Sequence, residues 1–229
     1  MDIVILLVFT AAWCGFMLWV WHNSQKRTPE DDASWHLLMT NAQQQITACV
    51  WYRDHGRDTT LEQLRVRDCP LRRDASWRDL VTRAVQAEMT RARVDALRYV
   101  EVGGWAVSKP SRGAVEGLIL ALGAFSLGRL LGGALGMTTA TVRHCSSTIL
   151  RRLGGSQFEI DGAVVPPYYD PRYDCTMELL RFDSRRPNSR YAGLVAALEA
   201  KLAQVAVLVS PSADNYSAIN AVAEGEAAA

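Results

Sequence analysis

The sequence has almost no net charge. Its 25 Lys and Arg residues nearly balance its 24 Asp and Glu residues, which leaves a formal charge of +1 at pH 7. A nucleic-acid-binding protein, which presents a basic surface, is therefore not indicated. The sequence also lacks paired cysteines, because none of its five cysteines forms a Cys-x-x-Cys pair. Neither a disulfide framework nor a zinc site is indicated, and we predict no metal site.

Charge is also missing near the start of the chain. The nineteen residues from Ile3 to Trp21 carry no charged side chain, and three tryptophans lie in the second half of the run. A run of this length can cross a bilayer, and tryptophan is typical of its interfaces. A cleaved signal peptide begins with a positively charged segment, but no Lys or Arg precedes this run. We predict an uncleaved transmembrane anchor over residues 1–23. A buried N-terminal helix is the alternative.

The anchor predicts a location and a membrane as partner. Lys26 and Arg27 follow the apolar run after four polar residues. By the positive-inside rule they place the rest of the chain on the cytoplasmic side. We therefore expect a single-pass protein of the inner (cytoplasmic) membrane, with a polar linker over residues 24–34 and a cytoplasmic domain over residues 35–209. Residues 210–229 contain no Lys or Arg and predict a disordered tail.

The first part of this domain, residues 35–97, is predicted to be mainly helical. Apolar residues recur at spacings of three and four from Trp35 to Trp51, which favours a helix. A second helix is predicted from Trp77 to Leu97. The segment 53–74 between them mixes charges of both signs and predicts a solvated surface.

The central stretch from Tyr99 to Gly136 has the order strand, turn, helix. A β-leaning run that contains Glu101 leads into a basic turn that contains Pro110 and Arg112, and a long apolar segment follows. Nine of the sixteen glycines lie between Gly103 and Gly136. This order places unpaired backbone N–H groups at a helix N-terminus, which favours an anion such as phosphate. A helix-start turn that binds nothing is the alternative.

Four further elements are predicted after the central stretch. They are a β run over Met137–Val142, a short helix over His144–Leu153, strands over Phe158–Val165 and Tyr173–Phe182, and a helix over Asn188–Val209.

The order and motifs of residues 95–183 resemble the C-terminal half of the GNAT acyltransferase superfamily. Arg112 and Gly117 match the superfamily's Arg/Gln-x-x-Gly-x-Gly/Ala turn, in which Val115 stands at the position of the middle glycine. The run from Glu101 to Val107 is similar to a strand of acyl-homoserine-lactone and N-acyl amino acid synthases, with Gly104 in place of their arginine. The segment Ile149–Gly154 is similar to the Tyr-x-x-Leu-Gly helix end of the superfamily, without its tyrosine.

The resemblance implies an α/β (α+β) fold with a GNAT-like mixed sheet flanked by helices, and an N-acyltransferase activity. The implied donor is acyl-CoA or an acyl carrier protein thioester, and the implied acceptor is a small amine. Glu101 would be the general base. The cofactor pyrophosphate would bind in the turn formed by Arg112, Gly113, Ala114, Val115 and Gly117.

Three departures from the superfamily pattern leave an alternative function open. The middle glycine, the strand arginine and the helix tyrosine are missing, although Tyr168, Tyr169 and Tyr173 are possible substitutes for the last. The chain could therefore be a catalytically inactive GNAT-like domain that acts as a membrane-tethered interaction or assembly subunit. Because residues 35–97 offer few β runs, a protein partner could complete the domain. A second membrane span over residues 117–137, with Arg129 inside it, is a further alternative.

Overall fold

A computed structural model describes residues 2–6, 33–108, 115–143 and 145–208. A nine-stranded mixed sheet runs through these residues. In spatial order its main path is β11 (Val207–Leu208), β1 (Asp2–Leu6), β2 (Trp35–Thr40), β3 (Ile46–Asp54), β4 (Arg98–Val107), β5 (Ala134–Thr141), β10 (Cys175–Asp183) and β6 (Ser156–Gln157), and β9 (Tyr168–Asp170) pairs with β10. The pairs β1–β11 and β4–β5 are parallel, and the other pairs are antiparallel.

Helices lie on both faces of this sheet. They are α1 (Pro70–Arg73), α2 (Arg78–Val94), α3 (Glu116–Leu130), α4 (Ser146–Leu153) and α5 (Ala192–Leu202). Short 3-10 turns occupy Leu61–Gln63, Arg65–Asp68 and Ser189–Tyr191, and a small separate hairpin is formed by β7 (Glu159–Ile160) and β8 (Ala163–Val164). A mixed sheet flanked by helices fits the predicted GNAT-like fold.

The predicted helix over Trp35–Trp51 is wrong, because this segment forms most of the β2–β3 hairpin. The Asn41 side chain closes the turn by accepting hydrogen bonds from the backbone N–H groups of Gln43 and Gln45 at 3.0 and 2.9 Å. Gln44 adopts a positive φ of 59° in the same turn. Both strands are apolar on both faces, as buried strands are. Such a run can show helical spacing by coincidence.

This hairpin supplies the strands that the sequence was expected to lack. Strands β2 and β3 continue the sheet from β4 within the same chain. The described residues therefore supply these strands themselves, whereas the sequence left open that a protein partner supplies them.

The prediction of a solvated surface over residues 53–74 is also wrong. Five apolar side chains of this segment are buried against α2 in a second core, on the sheet face opposite α3; they are Leu61, Leu64, Val66, Cys69 and Leu71. They are spaced irregularly among arginines and acidic residues across two 3-10 turns and α1, so no helical or strand period marks them in the sequence.

The apolar segment after the central turn is a buried helix, as the GNAT-like interpretation predicts, and not the second membrane span that was the alternative. All residues from Leu120 to Gly128 are buried, because the sheet covers one side of α3 and α5 covers the other. The Ser126 hydroxyl lies 2.9 Å from the Val195 carbonyl oxygen of α5. Arg129, at the end of α3, pairs with Glu199 at 2.6 Å. A helix that is apolar all round is expected in such a position.

The predicted N-terminal anchor is only partly within the described residues. Ile3–Leu6 lie in strand β1, antiparallel to β2, and not in a helix. Residues 7–32, which hold the rest of the anchor, and the tail after Leu208 are outside the described ranges. Across those ranges, no helix combines the length and the apolar character needed to span a membrane.

Candidate functional site

The two parallel strands of the central stretch part from each other in the middle of the sheet. Strand β4 pairs with β5 only from Arg98, opposite Ala134, to Glu101, opposite Met137. Beyond this point β4 stays paired with β3 and β5 stays paired with β10. A wedge therefore opens between the strands after Glu101, and the backbone groups of β4 that face it have no strand partner among the described residues.

The wall of the wedge formed by β4 contains an irregularity that accounts for one missing motif residue. The β3–β4 register shifts beside Trp51, and Gly104 has a positive φ of 61°. A Cβ atom on Gly103 or Gly104 would lie 2.3 or 2.4 Å from the Trp51 indole. The indole therefore fills the space beside Gly104, where the resemblance places an arginine. The guanidinium of Arg65 stacks on the same indole, 5.0 Å from its ring centroid.

Glu101 lies where the strands part, and its carboxylate is buried and fully engaged. Both carboxylate oxygens accept hydrogen bonds from the backbone N–H of Arg65, at 2.9 and 3.0 Å. One oxygen also lies 2.9 Å from Nε2 of His55. Burial of a carboxylate requires such partners. Glu101 therefore ties β4 to the 3-10 turn of Arg65 and to the end of β3.

A polar cavity of about 450 Å³ has His55 in its lining. It is lined by Ala33, Arg53, Asp54, His55, Glu62, Gln63 and Arg67. Arg53 stands opposite Glu101 in the β3–β4 register, so the two share a face of the sheet. Asp54 is held by Arg98 and by the backbone N–H of Gly56. Two arginines and two acidic residues thus share the lining of this cavity with His55.

The predicted phosphate turn is only partly described. Arg112, Gly113 and Ala114 lie outside the described ranges. Val115 directly precedes α3 and is half exposed, and Gly117 is buried in the first turn of the helix. A Cβ atom on Gly117 would lie 3.1 Å from the indole of Trp105 on β4, so glycine permits close contact between helix and strand.

Two polar atoms near this helix N-terminus are buried without a hydrogen-bond partner in the part of the chain that the structure describes. They are Nε1 of Trp105 and Oε2 of Glu116. Glu116 is the first residue of α3, so its carboxylate occupies the end of the helix dipole that also attracts phosphate. A phosphate bound there would have this carboxylate as a neighbour.

The three candidate tyrosines do not lie in surroundings that suit a general acid. Tyr168 is buried in the second core, and burial raises the pKa of its hydroxyl well above the usual value. The Tyr169 hydroxyl donates to Asp174 at 2.6 Å, and Tyr173 is largely exposed. Ile149 and Leu150 of α4 pack against the core between α3, α5 and the sheet. His144 lies outside the described ranges.

Sequence reasoning missed His55, Trp51 and Arg65 as parts of this site. The signal for the β3 residues was present in the alternation of Trp51, Arg53 and His55, which places all three on one face of a strand. The sequence interpretation hides this alternation, because it assigns Trp51 to the end of a helix and Arg53 and His55 to a solvated surface. Within the described ranges, no three metal-binding side chains come together in a group that could hold a metal ion.

The sequence matches no protein-family model, and no curated protein matches it. Solved structures similar to the chain are GNAT-fold acyltransferases. The CoA-dependent acyl-homoserine lactone synthase BjaI has a TM-score of 0.48 and 11% identity, covering 93% of this chain and 87% of that one. The N-acyl amino acid synthase FeeM from uncultured soil microbes has a TM-score of 0.45 and 10% identity, and the match covers 67% of this chain and 74% of that one. Agmatine N-acetyltransferase has a TM-score of 0.44 and 16% identity, and the match covers 80% of this chain and 100% of that one.

Proposed function

We propose that this chain is an N-acyltransferase that moves an acyl group from a thioester of CoA or acyl carrier protein to a small amine. The observation that carries the proposal is the parting of β4 and β5 after Glu101 and Met137. An extended thioester arm contains amide groups, and the backbone groups of β4 that face the wedge can hydrogen-bond to them as an added strand would.

The proposed reaction is a direct transfer. The amine nitrogen attacks the thioester carbonyl carbon, the new C–N bond forms, and the C–S bond breaks. The amine loses one proton to a base, and the departing sulfur takes up one proton as the thiol leaves. Holding both reactants at the point where the strands part supplies the proximity that such a step needs. Glu101 lies at that point, and we place the removal of the amine proton on its side of the wedge.

The test is thiol release by the purified full-length chain. We would screen short and long acyl thioesters of CoA against a panel of small amines and amino acids, and identify the acylated product by mass. Glu101→Gln should lower turnover by about 10²–10⁴-fold, the usual contribution of acid–base catalysis. The matched control is Glu178→Gln, another buried strand carboxylate, which pairs with Arg151 on α4 and is expected to keep turnover near wild type.

A separate binding measurement distinguishes an active acyltransferase from an inactive interaction subunit. Binding of a non-hydrolysable acyl-CoA analogue by calorimetry, with acylated product in the screen, supports the enzyme. Absence of both binding and thiol release would reject it and favour the catalytically inactive interaction subunit.

Membrane attachment is an independent proposal. With Ile3–Leu6 in strand β1, the uncharged run that remains is residues 7–21, fifteen residues, which is shorter than the roughly 20 that a spanning helix needs. We propose that this run holds the domain at the cytoplasmic face of the membrane. Fractionation of cells that express the full chain tests this. Recovery in the soluble fraction at low salt would contradict it.

A further inference from the structure

We propose that His55 is the group that removes the proton from the amine, and that Glu101 positions its imidazole. The inference rests on the proposed acyl transfer and concerns the same site. It departs from the resemblance, which assigns the base role to Glu101 alone.

The carboxylate of Glu101 is poorly placed to act as the base itself. Its two oxygens already accept the backbone N–H of Arg65 and face Nε2 of His55, and its side chain is 6% exposed. The His55 side chain is equally buried at 5% exposed, so exposure does not separate the two groups. The polar cavity does separate them, because His55 lines it and Glu101 does not, and an amine bound in this cavity would lie beside His55.

The geometry of the His55–Glu101 contact determines which imidazole nitrogen can accept a proton. With Nε2 held 2.9 Å from the carboxylate, Nε2 carries the proton and donates it to Glu101. The neutral ring then has Nδ1 as its acceptor. A carboxylate that holds one nitrogen in this way fixes the tautomer and stabilises the imidazolium that forms when the other nitrogen takes a proton.

The backbone also fixes the ring. The N–H of His55 donates to the carbonyl of Tyr99 at 3.0 Å, and the N–H of Tyr99 donates to the carbonyl of Gly56 at 2.8 Å. The end of β3 is thus tied to β4 two residues before Glu101. This arrangement holds the imidazole in place without help from a ligand.

The cavity suits an amine that carries a second polar group. Glu101 from β4 contacts the imidazole. The other charged residues of the cavity lining are Arg53 and Asp54 from β3, and Glu62 and Arg67 from the 3-10 segment. Opposite charges close together match a small polar or zwitterionic amine better than an apolar one. In the proposed step the amine N–H proton moves to Nδ1 as the C–N bond forms, and the resulting imidazolium is a donor for the leaving thiolate.

The experiment compares pH profiles of kcat/KM for wild type, His55→Gln and Glu101→Gln. Each enzyme is assayed with the best acceptor from the screen and with a weakly basic amine, so that titration of the acceptor is not mistaken for that of the enzyme. His55→Gln should lose about 10²–10⁴-fold in kcat/KM and lose the acidic limb of the profile. Glu101→Gln should be slower but keep that limb, because the imidazole remains. His36→Gln, on neighbouring strand β2, is the matched control and should behave as wild type.

A second variant guards against a folding artefact. His55→Ala should be rescued in part by added imidazole, which a purely structural histidine would not show, and calorimetry should find acyl-CoA binding unchanged. An active wild type with a His55→Gln variant that keeps full activity and the acidic limb would overturn this inference and leave the acyltransferase intact. An inactive wild type that binds no thioester would instead reject the proposed function.

Discussion

Trp51 shows how one side chain can replace a motif residue. Its indole covers Gly103 and Gly104, and the guanidinium of Arg65 stacks on it. The glycines are therefore required by a neighbouring strand. A cation is still present on this part of the sheet, although it comes from a different segment of the chain.

Restoring the arginine at position 104 should consequently harm the protein. Gly104→Arg places a side chain where the indole lies and where φ is +61°, so we expect a loss of about 1–3 kcal/mol in the free energy of unfolding. Urea unfolding followed by tryptophan fluorescence measures this. Gly162→Arg, at a positive φ with open space around it, is the control for the backbone strain alone. Equal stability of the wild type and Gly104→Arg would contradict the packing account.

Glu116 offers a test of the phosphate turn in which the substitution should strengthen ligand binding instead of weakening it. If a pyrophosphate binds at the N-terminus of α3, the Glu116 carboxylate repels it, so Glu116→Gln should tighten acyl-CoA binding by roughly two- to five-fold. A thioester of N-acetylcysteamine, which lacks phosphate, should bind both proteins equally. Arg112→Ala should have the opposite effect on acyl-CoA. Weaker acyl-CoA binding by Glu116→Gln would place the phosphates elsewhere.

At the scale of elements, α3 is the best example of what patterning can and cannot show. Its run of apolar residues predicts burial but does not say whether lipid or protein covers it. The answer lies in α5, some 70 residues later, whose apolar face packs along it. Sequence reasoning located both helices and could not pair them, because no local signal encodes a contact of that range.

A charge on the inner face of α5 should therefore unfold the domain. Leu198 is 6% exposed, and Leu198→Asp would bury an unpaired carboxylate, so we expect destabilisation of several kcal/mol or insoluble protein. Glu199→Ala, which removes only the partly exposed pair with Arg129, should cost no more than about 1 kcal/mol. Thermal unfolding of the three proteins provides the comparison. Similar stabilities would mean that α5 does not contribute to the core.

The elements that were predicted correctly are those with strong local signals. The residues around Gly154 end α4 as expected, and the runs that became α2, β5 and β10 had clear patterns and breaks. The β2–β3 hairpin was missed because its strands are buried on both faces and so lack alternation. His55 was missed with it, since its importance depends on Glu101, which is 46 residues away in sequence.

Acid should destabilise the whole molecule by protonating carboxylates that are paired in the folded state. Burial alone would raise the pKa of the Asp183 carboxyl, but hydrogen bonds from the side chain and backbone of Arg185 hold it below the usual value. The same holds for Asp170 beside Arg172. Groups with a lowered folded pKa stabilise the protein above their unfolded pKa of about 3.9, and this stabilisation is lost as the pH falls through the lower folded value.

We therefore expect the free energy of unfolding to be flat at neutral pH and to fall steadily below about pH 4. Urea midpoints measured between pH 7 and pH 2.5 test this. Asp183→Asn should be less stable than wild type at pH 7, and the difference should shrink in acid. A difference that stays constant with pH would show that Asp183 contributes through packing rather than through its charge.

The parting of β4 and β5 also divides the sheet mechanically. Only four residue pairs, from Arg98–Ala134 to Glu101–Met137, join the half that ends in β4 to the half that begins with β5. Beyond them each strand is paired with its other neighbour, so a tilt of the two halves about this short seam would break no other strand pair among the described residues. Amides of β4 that face the wedge should then exchange with solvent faster than those that face β3. A ligand lying in the wedge would slow their exchange and stiffen the sheet by joining its two halves.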